Sequence, residues 1–229
     1  MTATRASLPG LYVGTSGFSY PSWRGDFYPA DARQRDFLNL YAERLPSVEL
    51  NATFYQLPSE ERLLRWAEQT PPDFRFAVKM SRRITHFGHL ESIPTFCERV
   101  RALEDKLGPI LVQFPPGRPR DDGFLRLFLD SLDRDLDYAF EFRHPSWEVD
   151  DRLADEGVAR VGSLTGGARF RYLRLREPPY TDADLRAWAS VLRPLLADGI
   201  EIYAYFKHED EPLAPGYASA LDRLLAEGG

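Results

Sequence analysis

The sequence predicts a single (β/α)₈ barrel of the TIM type, and three observations support this. Eight short segments have the character of β-strands, and amphipathic helices are predicted between most of them, which is typical of a parallel sheet. Several strands alternate apolar with charged or polar residues, so each presents one apolar face and one polar face. A chain of 229 residues also has the length of one such barrel.

The eight predicted strands cover residues 11–17, 47–55, 75–81, 109–115, 137–143, 158–163, 170–176 and 201–207. The second strand puts Glu49 on the same face as the polar side chains of Asn51 and Thr53. The fifth and seventh strands likewise carry charged pairs on one face, namely Glu141 with Arg143 and Arg174 with Arg176. Ionic faces that recur around a barrel predict a polar lumen.

Helices are predicted at residues 32–45, 59–70, 92–107, 122–134, 182–198 and 214–226. Ser59 is a favourable N-cap for the second of them, and Thr181 opens the fifth with a sequence resembling a capping box. Cys97 falls on the apolar face of the segment 92–107, which predicts a core thiol rather than a nucleophile.

One crossover departs from the regular pattern. Only Leu164 to Arg169 separate the sixth and seventh strands, which is too short for a helical crossover. We therefore expect an extended return there and a barrel that lacks one helix.

No glycine-rich dinucleotide or P-loop motif is present, so the common nucleotide-binding folds lack their usual signature. The whole chain, 1–229, is predicted to be one domain with residues 1–10 as a short N-terminal tail.

Composition narrows the class of protein. The net charge of -6 and sequence pI of about 5.3 disfavour a broad nucleic-acid-binding surface. The single cysteine excludes an intrachain disulfide and suits a reducing compartment. No signal-peptide core is recognised at the start, and no apolar run reaches the roughly 20 residues that span a membrane. A cytoplasmic protein with no membrane partner is expected.

The lumen residues follow once the apolar faces, which carry Leu50, Phe142, Leu173 and Phe206, are packed against the helices. The inward positions are then Tyr12, Gly14, Ser16, Glu49, Asn51, Thr53, Ala77, Lys79, Ser81, Leu111, Gln113, Pro115, Glu141, Arg143, Arg174, Arg176, Tyr203, Tyr205 and Lys207. This face has two acidic and five basic side chains. Buried ions must be paired, so the excess of cations indicates an external anion.

Two internal pairs are expected, Glu49 with Lys79 and Glu141 with Arg174. The remaining cations, Arg143, Arg176 and Lys207, would then bind a phosphate or carboxylate at the carboxyl ends of the strands, where barrels of this type carry their active sites. The alternative interpretation is that the arginines form a salt-bridge network within the lumen.

The predicted catalytic residues are Glu49, Glu141, His144 and His208, which are suited to general acid–base chemistry. The predicted substrate-binding residues are Trp23, Asn51, Tyr55, Lys79, His86, Gln113, Arg143, Trp147, Arg174, Arg176 and Lys207. The alternative for the two glutamates is structural pairing. No cofactor is predicted. A divalent metal held by the strand-end histidines and Glu209 is a weaker alternative, because no metal-binding spacing is present.

Four aromatic residues, Trp23, Tyr28, Tyr55 and Trp147, allow two interpretations. They could form a wall that stacks a base or a sugar at the mouth. They could equally be packing residues of the barrel loops.

Motifs spread along most of the chain resemble the domain of unknown function 72 family, the YecE-like proteins. They are Val13-Gly14-Thr15-Ser16-Gly17-Phe18-Ser19-Tyr20, Glu49-Leu50-Asn51-Ala52-Thr53-Phe54-Tyr55, Phe76-Ala77-Val78-Lys79, Ile84-Thr85-His86, Gln113-Phe114-Pro115-Pro116 and Glu141-Phe142-Arg143-His144-Pro145-Ser146-Trp147. The resemblance implies a TIM-type barrel and no established reaction. A likeness of the family to endonuclease-type barrels implies a link to nucleic acid or phosphate.

The chain departs from the family pattern at three strand ends. An acidic residue is missing at Gly162-Ser163-Leu164, Arg176-Glu177 replaces His-Gly, and Lys207-His208 replaces an asparagine-rich end. Three functions therefore remain as hypotheses. The first is an enzyme, a hydrolase or lyase, that acts on a small anionic substrate. The others are a nucleic-acid-binding or processing protein and a ligand-binding module without chemistry.

Overall fold

Eight parallel strands form a nearly closed barrel in this computed structural model, which describes residues 8–148, 150–207 and 212–227. The strands are β1 (Leu11–Ser16), β2 (Ser47–Leu50), β3 (Arg75–Lys79), β4 (Leu107–Phe114), β5 (Tyr138–Phe142), β6 (Ala159–Arg160), β7 (Phe170–Leu175) and β8 (Glu201–Phe206). Their hydrogen-bonded order is β6-β5-β4-β3-β2-β1-β8-β7. The predicted TIM-type barrel is confirmed.

Helices alternate with these strands along the described chain. They are α1 (Phe37–Ala42), α2 (Ala52–Tyr55), α3 (Glu60–Glu68), α4 (Arg82–Thr85), α5 (Ile93–Val100), α6 (Asp122–Asp130), α7 (Asp150–Asp155), α8 (Asp182–Ala197) and α9 (Ala214–Ala226). Short 3₁₀ helices lie at Pro21–Trp23, Gln34–Asp36, Leu90–Ser92 and Arg101–Lys106. No helix among the described residues is long and apolar enough to cross a membrane.

The barrel wall is weakest between β6 and β7. Within the described chain the two strands share no ladder, and one hydrogen bond from Gly162 N–H to Tyr172 C=O (2.9 Å) bridges them. Residues 164–169 contain no helix, as predicted, because so few residues cannot complete a helical crossover. The prediction that β6 extends over 158–163 is wrong, since the chain turns after Arg160.

The second strand ends earlier than predicted, and this changes the positions of Thr53 and Tyr55. β2 stops at Leu50, and the chain then enters α2 instead of continuing as a strand to residue 55. The Thr53 hydroxyl lies 2.9 Å from Leu50 C=O and 2.6 Å from Lys79 C=O. A side chain bonded to nearby backbone in this way competes with a strand ladder. Thr53 is therefore buried at the strand end, and Tyr55 lies on the surface.

Other boundaries shift for local reasons. β3 ends at Lys79 because Ser81 caps α4, with its Oγ accepting from Arg83 N–H at 3.2 Å. The predicted helix 92–107 is split, since Glu104 has a φ of 52° that no α-helix accommodates. The predicted helix 32–45 is shorter, and α7 was not predicted. The predicted caps at Ser59 and Thr181 are confirmed, the latter as a full capping box.

Two apolar layers lie on opposite sides of the barrel wall. The larger one packs the outer faces of the strands against the helices and includes Leu50, Leu173, Phe206 and Cys97, with Phe142 packed against it. The smaller one fills the lower lumen and consists of Ala77, Leu111, Ala139, Ala159, Ala168, Phe170, Tyr172, Tyr203 and Tyr205. The predicted register is therefore confirmed for residues within the strands. Arg143 and Lys207, which were also predicted to point into the lumen, lie past the ends of β5 and β8 and are exposed.

The first two strands are joined through the side chain of Tyr41 on α1. Its hydroxyl accepts a hydrogen bond from Thr15 N–H at 2.8 Å and donates one to Ser47 C=O at 2.8 Å. At this point β1 lies so close to β2 that a Cβ atom on Gly14 would be 1.9 Å from the Ser47 oxygen. Only glycine fits at this position.

We expect Gly14→Ala to lower the free energy of unfolding by about 1–3 kcal/mol or more, because the added methyl group must push the two strands apart. Urea unfolding followed by circular dichroism measures this. Gly117→Ala is the matched control, because no atom lies within 4 Å of the position of its Cβ. Equal unfolding midpoints for the two variants would show that the contact between β1 and β2 is relaxed in solution.

Candidate functional site

The polar layer of the lumen is organised around the guanidinium group of Arg174 on β7. Its Nη2 lies 2.8 Å from Glu49 Oε1 on β2, and its Nη1 lies 2.8 Å from Glu141 Oε2 on β5. Burial lowers the pKa of Arg174, but the charges of the two carboxylates more than offset burial and hold this pKa above its ordinary value. Arg174 thus stays charged and ties three strands together across the lumen.

Glu49 is fully buried and surrounded by donors. Oε1 accepts hydrogen bonds from Ser16 Oγ (2.9 Å), Asn51 Nδ2 (3.0 Å) and Arg174, while Oε2 accepts one from the Tyr172 hydroxyl (2.9 Å). Burial raises the pKa of Glu49, but the charge of Arg174 and these hydrogen bonds outweigh it, so the pKa lies below its ordinary value. An ionised carboxylate with so many donors is suited to holding other groups in place rather than to carrying protons.

Glu141 is the second anion of the layer. It accepts from Gln113 Nε2 at 2.5 Å, and Arg176 Nη2 lies 2.8 Å from its Oε1. The predicted pairing of Glu141 with Arg174 is therefore confirmed. The expectation that Arg176 lacks a protein partner is wrong, because its guanidinium group shares Glu141 with Arg174.

Lys79 lies at the end of β3 and has different partners from those predicted. The expected pair with Glu49 is wrong, since that carboxylate is occupied by Arg174. The Lys79 ammonium instead donates to Gln113 Oε1 at 2.9 Å and lies 4.1 Å from the centre of the Phe54 ring. Burial, together with the nearby charge of Arg174, lowers the pKa of Lys79 to about 8.

A basic rim continues outward from Lys79 over the loops that follow β3, β4 and β5. Arg118 Nη2 donates to His86 C=O at 3.1 Å, and Arg143 is exposed at the end of β5. Partial burial and the charges of Lys79, Arg118 and Arg143 lower the pKa of His86. His86 is consequently neutral at pH 7, and its ring can accept a proton.

The rings of the expected aromatic wall do not lie together at the mouth. Trp23 and Tyr28 are buried beneath the loop after β1, where they pack with Phe27. Trp147 is 2% exposed and stacks on Phe142. The predicted ligand-stacking role is thus wrong for these three residues, which are packing residues.

Tyr55 is different, since it is 70% exposed and lies beside the mouth. The guanidinium group of Arg82 is 5.6 Å from the centre of the Tyr55 ring.

Two further predicted residues lie at the edge of the site. His144 Nδ1 lies 2.8 Å from Ser146 Oγ and accepts from Ser146 N–H at 3.2 Å, which shapes the turn after β5. Lys207 has an exposed side chain, and its backbone N–H donates to Leu175 C=O at 2.9 Å. His208 and Glu209 lie outside the described residues. Within the described ranges, no group of three or more histidine, cysteine or acidic side chains is arranged to hold a metal.

A cleft of about 510 Å³ adjoins the polar layer at Asn51. Its walls include Tyr20, Trp66, Arg35 and Arg62. A second cleft, of about 580 Å³, lies outside the barrel between α8 and the loop after β7, and its charged lining residues are Glu177 and Asp184. The first cleft has two arginines in its walls and meets the predicted site at Asn51.

Comparison with known proteins agrees with this architecture. The model of the family described as "Protein of unknown function DUF72" matches residues 12–229. The chain belongs to this family. The UPF0759 protein YecE of Escherichia coli (strain K12) is 35% identical over 142 residues, which are 60% of this chain and 50% of YecE. The UPF0759 protein YunF of Bacillus subtilis (strain 168) is 27% identical over 152 residues, 60% of this chain and 52% of YunF. These matches span about half the length of the two relatives.

Two solved DUF72 structures share the fold. A DUF72 family protein from Enterococcus faecalis V583 superposes with a TM-score of 0.79 at 19% identity, covering 94% of this chain and 95% of that one. A DUF72 family protein from Thermotoga maritima MSB8 gives a TM-score of 0.70 at 23% identity, covering 95% of this chain and 98% of that one.

Some residues that contact the candidate site were not predicted as site residues. Tyr172 lies two residues before Arg174 in the same strand, so the alternation of side chains predicts that both point into the lumen. Phe54 and Arg118 follow strand ends, and the sequence carries no signal that they would contact Lys79 and His86. Asn51, Lys79, Gln113, Glu141, Arg174 and Arg176, by contrast, converge with Glu49 in one hydrogen-bonded network.

We expect Glu49→Gln to lower the free energy of unfolding at pH 7 by about 3–5 kcal/mol, because it leaves the buried Arg174 charge incompletely compensated. Folding lowers the pKa of Glu49 from about 4.5, its value in the unfolded chain. Ionised Glu49 therefore stabilises the folded protein fully above that pH, and this contribution is lost as the pH falls through the lower pKa of the folded state. The difference in stability between wild type and variant should thus narrow below that pH.

Denaturant unfolding over a range of pH tests this expectation, with Glu98→Gln on the exposed side of α5 as the matched control. A Glu49→Gln variant as stable as that control at pH 7 would contradict the anchoring role of Glu49.

Proposed function

We propose that this protein binds a small phosphate- or carboxylate-bearing substrate at the carboxyl-end mouth of the barrel and acts on it as a hydrolase or lyase. The observation that carries the proposal is the charge distribution in the mouth. Arg174 and Arg176 engage the two lumen carboxylates, Glu49 and Glu141. Among the described residues, no carboxylate lies within salt-bridge distance of Lys79 or Arg143.

The centre of the proposed anion site therefore moves from the position indicated by the sequence. Arg176 shares Glu141, so the cations best suited to an external anion are Lys79 and Arg143. Their mutual repulsion already contributes to the lowered pKa of Lys79. A bound anion would relieve this repulsion and offset the desolvation of the ammonium group.

Proton transfer in this proposal falls to His86 rather than to Glu49 or Glu141, because guanidinium groups bind both carboxylates. His86 is neutral at pH 7 and faces the same cations that would hold the substrate. Glu141 contacts Gln113, which in turn holds Lys79. Glu49, saturated with donors, acts by positioning Arg174.

A second candidate function rests on the outer edge of the mouth. Tyr55 and Phe87 are 70% and 66% exposed, and Arg82 lies over the Tyr55 ring. Exposed aromatic rings interleaved with basic groups are typical of surfaces that stack unpaired bases. A nucleic-acid strand could therefore seat one phosphate at the mouth with a base on Tyr55. The net charge of -6 makes this the weaker candidate.

We expect phosphate to raise the melting temperature more than chloride does at matched ionic strength. A ligand at 100 times its dissociation constant stabilises the fold by about 2.7 kcal/mol, which is roughly 5–10 °C for a chain of this size. Arg143→Met should remove most of the difference between the two salts, whereas the matched control Arg186→Met, on the exposed face of α8, should retain it. Differential scanning fluorimetry measures all three proteins.

Equal effects of phosphate and chloride on the wild-type protein would refute the proposed anion site. Binding of a short single-stranded oligonucleotide that weakens steeply with salt, and that is lost in Tyr55→Ala, would favour the second candidate. Phosphate binding without turnover of any phosphate ester or carboxylate substrate would leave a ligand-binding module and refute the catalytic part of the proposal.

A further inference from the structure

Lysine is rare in this chain, and one of its lysines lies inside the barrel. The chain has 29 cationic side chains, of which only Lys79, Lys106 and Lys207 are lysines. Arginine keeps its proton under all physiological conditions, whereas lysine can become a neutral amine when it is desolvated. The cation at the end of β3 is thus one of the few in this protein that could act as a nucleophile.

The three lysines have different surroundings. Lys106 donates to the backbone carbonyl groups of Ala67 and Thr70, and burial together with the charge of Arg75 lowers its pKa. Lys207 is exposed. Lys79 is partly buried at the mouth, with one hydrogen bond to a neutral amide oxygen of Gln113 and with the face of the Phe54 ring on another side.

Charged groups of both signs face Lys79 from the surrounding elements. They are Glu49 on β2, Glu141 and Arg143 on and after β5, and Arg174 on β7. Burial and the two guanidinium groups together outweigh the carboxylates and bring the pKa of Lys79 to about 8. At pH 7.5 a substantial fraction of Lys79 is then free amine, about 200-fold more than for a lysine of ordinary pKa.

We propose that Lys79 is a nucleophile that condenses with the carbonyl carbon of an anionic aldehyde or ketone to form an imine. The inference rests on the proposed function, since the same mouth must bind the phosphate or carboxylate of this substrate. Arg143 is placed to pair with that anion, while the carbonyl group lies over Nζ.

The chemistry requires no oxidant, reductant or metal. The neutral amine forms a C–N bond with the carbonyl carbon, and the carbonyl oxygen takes up a proton and becomes the hydroxyl group of a carbinolamine. This hydroxyl group leaves as water when it is protonated again, which breaks the C–O bond and gives the protonated imine. Neutral His86 can accept the one proton that the nitrogen loses after attack and return it to the leaving hydroxyl group. The proton that the carbonyl oxygen takes up first comes from solvent water.

A protonated imine draws electrons from the bonds of the adjacent carbon, so it promotes C–C or C–H cleavage there. This favours the lyase over the hydrolase among the reactions considered above. The other role for Lys79 is that of a permanent ammonium group that only binds the anion. A reducing agent converts an imine into a stable adduct, so an adduct on Lys79 is expected for the first role and not for the second.

The test uses the full-length wild-type protein with pyruvate or dihydroxyacetone phosphate, and with neutral hydroxyacetone, in sodium cyanoborohydride at pH 7.5. Reduction of an imine leaves a stable adduct, which intact-mass and peptide mass spectrometry locate among the three lysines. We expect an anionic ketone to label Lys79 in preference to the other two lysines, and on the order of 100-fold faster than the lysine of a short model peptide with an ordinary side-chain pKa, given the difference in free-amine fraction. Lys106 and Lys207 are internal controls in the same sample.

The variant Lys79→Arg keeps the positive charge but cannot form an imine. It should lose the adduct while it retains most of the phosphate-induced rise in melting temperature. Adducts distributed equally over the three lysines, or no adduct at Lys79 while phosphate still stabilises the protein, would overturn the imine and leave the anion site intact. Equal labelling of Lys79 by charged and neutral ketones would support the nucleophile and contradict the anion site. If Lys79→Arg fails to fold, the labelling of Lys79 in the wild-type protein is measured with and without added phosphate. Labelling that phosphate inhibits supports both the imine and the anion site, whereas labelling that phosphate does not change contradicts the anion site.

Discussion

The guanidinium group of Arg174 is the contact on which the rest of the lumen depends. β7 forms a ladder on one side only, with β8, and it faces the two-residue strand β6 across a gap. By binding Glu49 and Glu141, Arg174 connects β7 to β2 and β5 through the interior. The buried triad of Glu49, Arg174 and Glu141 thus replaces part of the connection that a ladder between β6 and β7 would supply. The side chains that donate hydrogen bonds to the two carboxylates are held in position by them.

The same triad determines the electrostatics of the mouth. Because both lumen carboxylates are bound to guanidinium groups, the neighbouring Lys79 is left with an amide oxygen and an aromatic face, and the net field around it is positive. The structural salt-bridge network and the proposed reactive site are therefore compatible in this barrel. Pairing Glu49 and Glu141 with arginines is what leaves Lys79 and Arg143 without carboxylate partners in the described chain.

Alternation along the strands was sufficient to predict the barrel, the inward faces of β2, β5 and β7, and the crossover without a helix. It could not predict which charges would pair, since Arg174 and Glu49 are 125 residues apart and their distance depends on the stagger of the barrel. It also could not show that Thr53 would bond to the backbone and end β2, or that Trp23 and Trp147 would be buried. Such loop contacts depend on tertiary packing, which has no periodic signal in the sequence.

The apolar plug below the polar layer gives the site its direction. Tyr172, Tyr203 and Tyr205 fill the lower lumen together with Phe170 and other apolar residues, so the polar layer is closed from the amino-terminal end of the strands. Tyr172 belongs to both layers, because its ring lies in the plug while its hydroxyl donates to Glu49. The plug excludes water from beneath Glu49, Arg174 and Glu141, which strengthens the ion pairs between them. It also limits the hydration of Lys79, and this burial lowers the pKa of Lys79. The packing that holds the barrel together is thereby also a cause of the reactivity expected at its mouth.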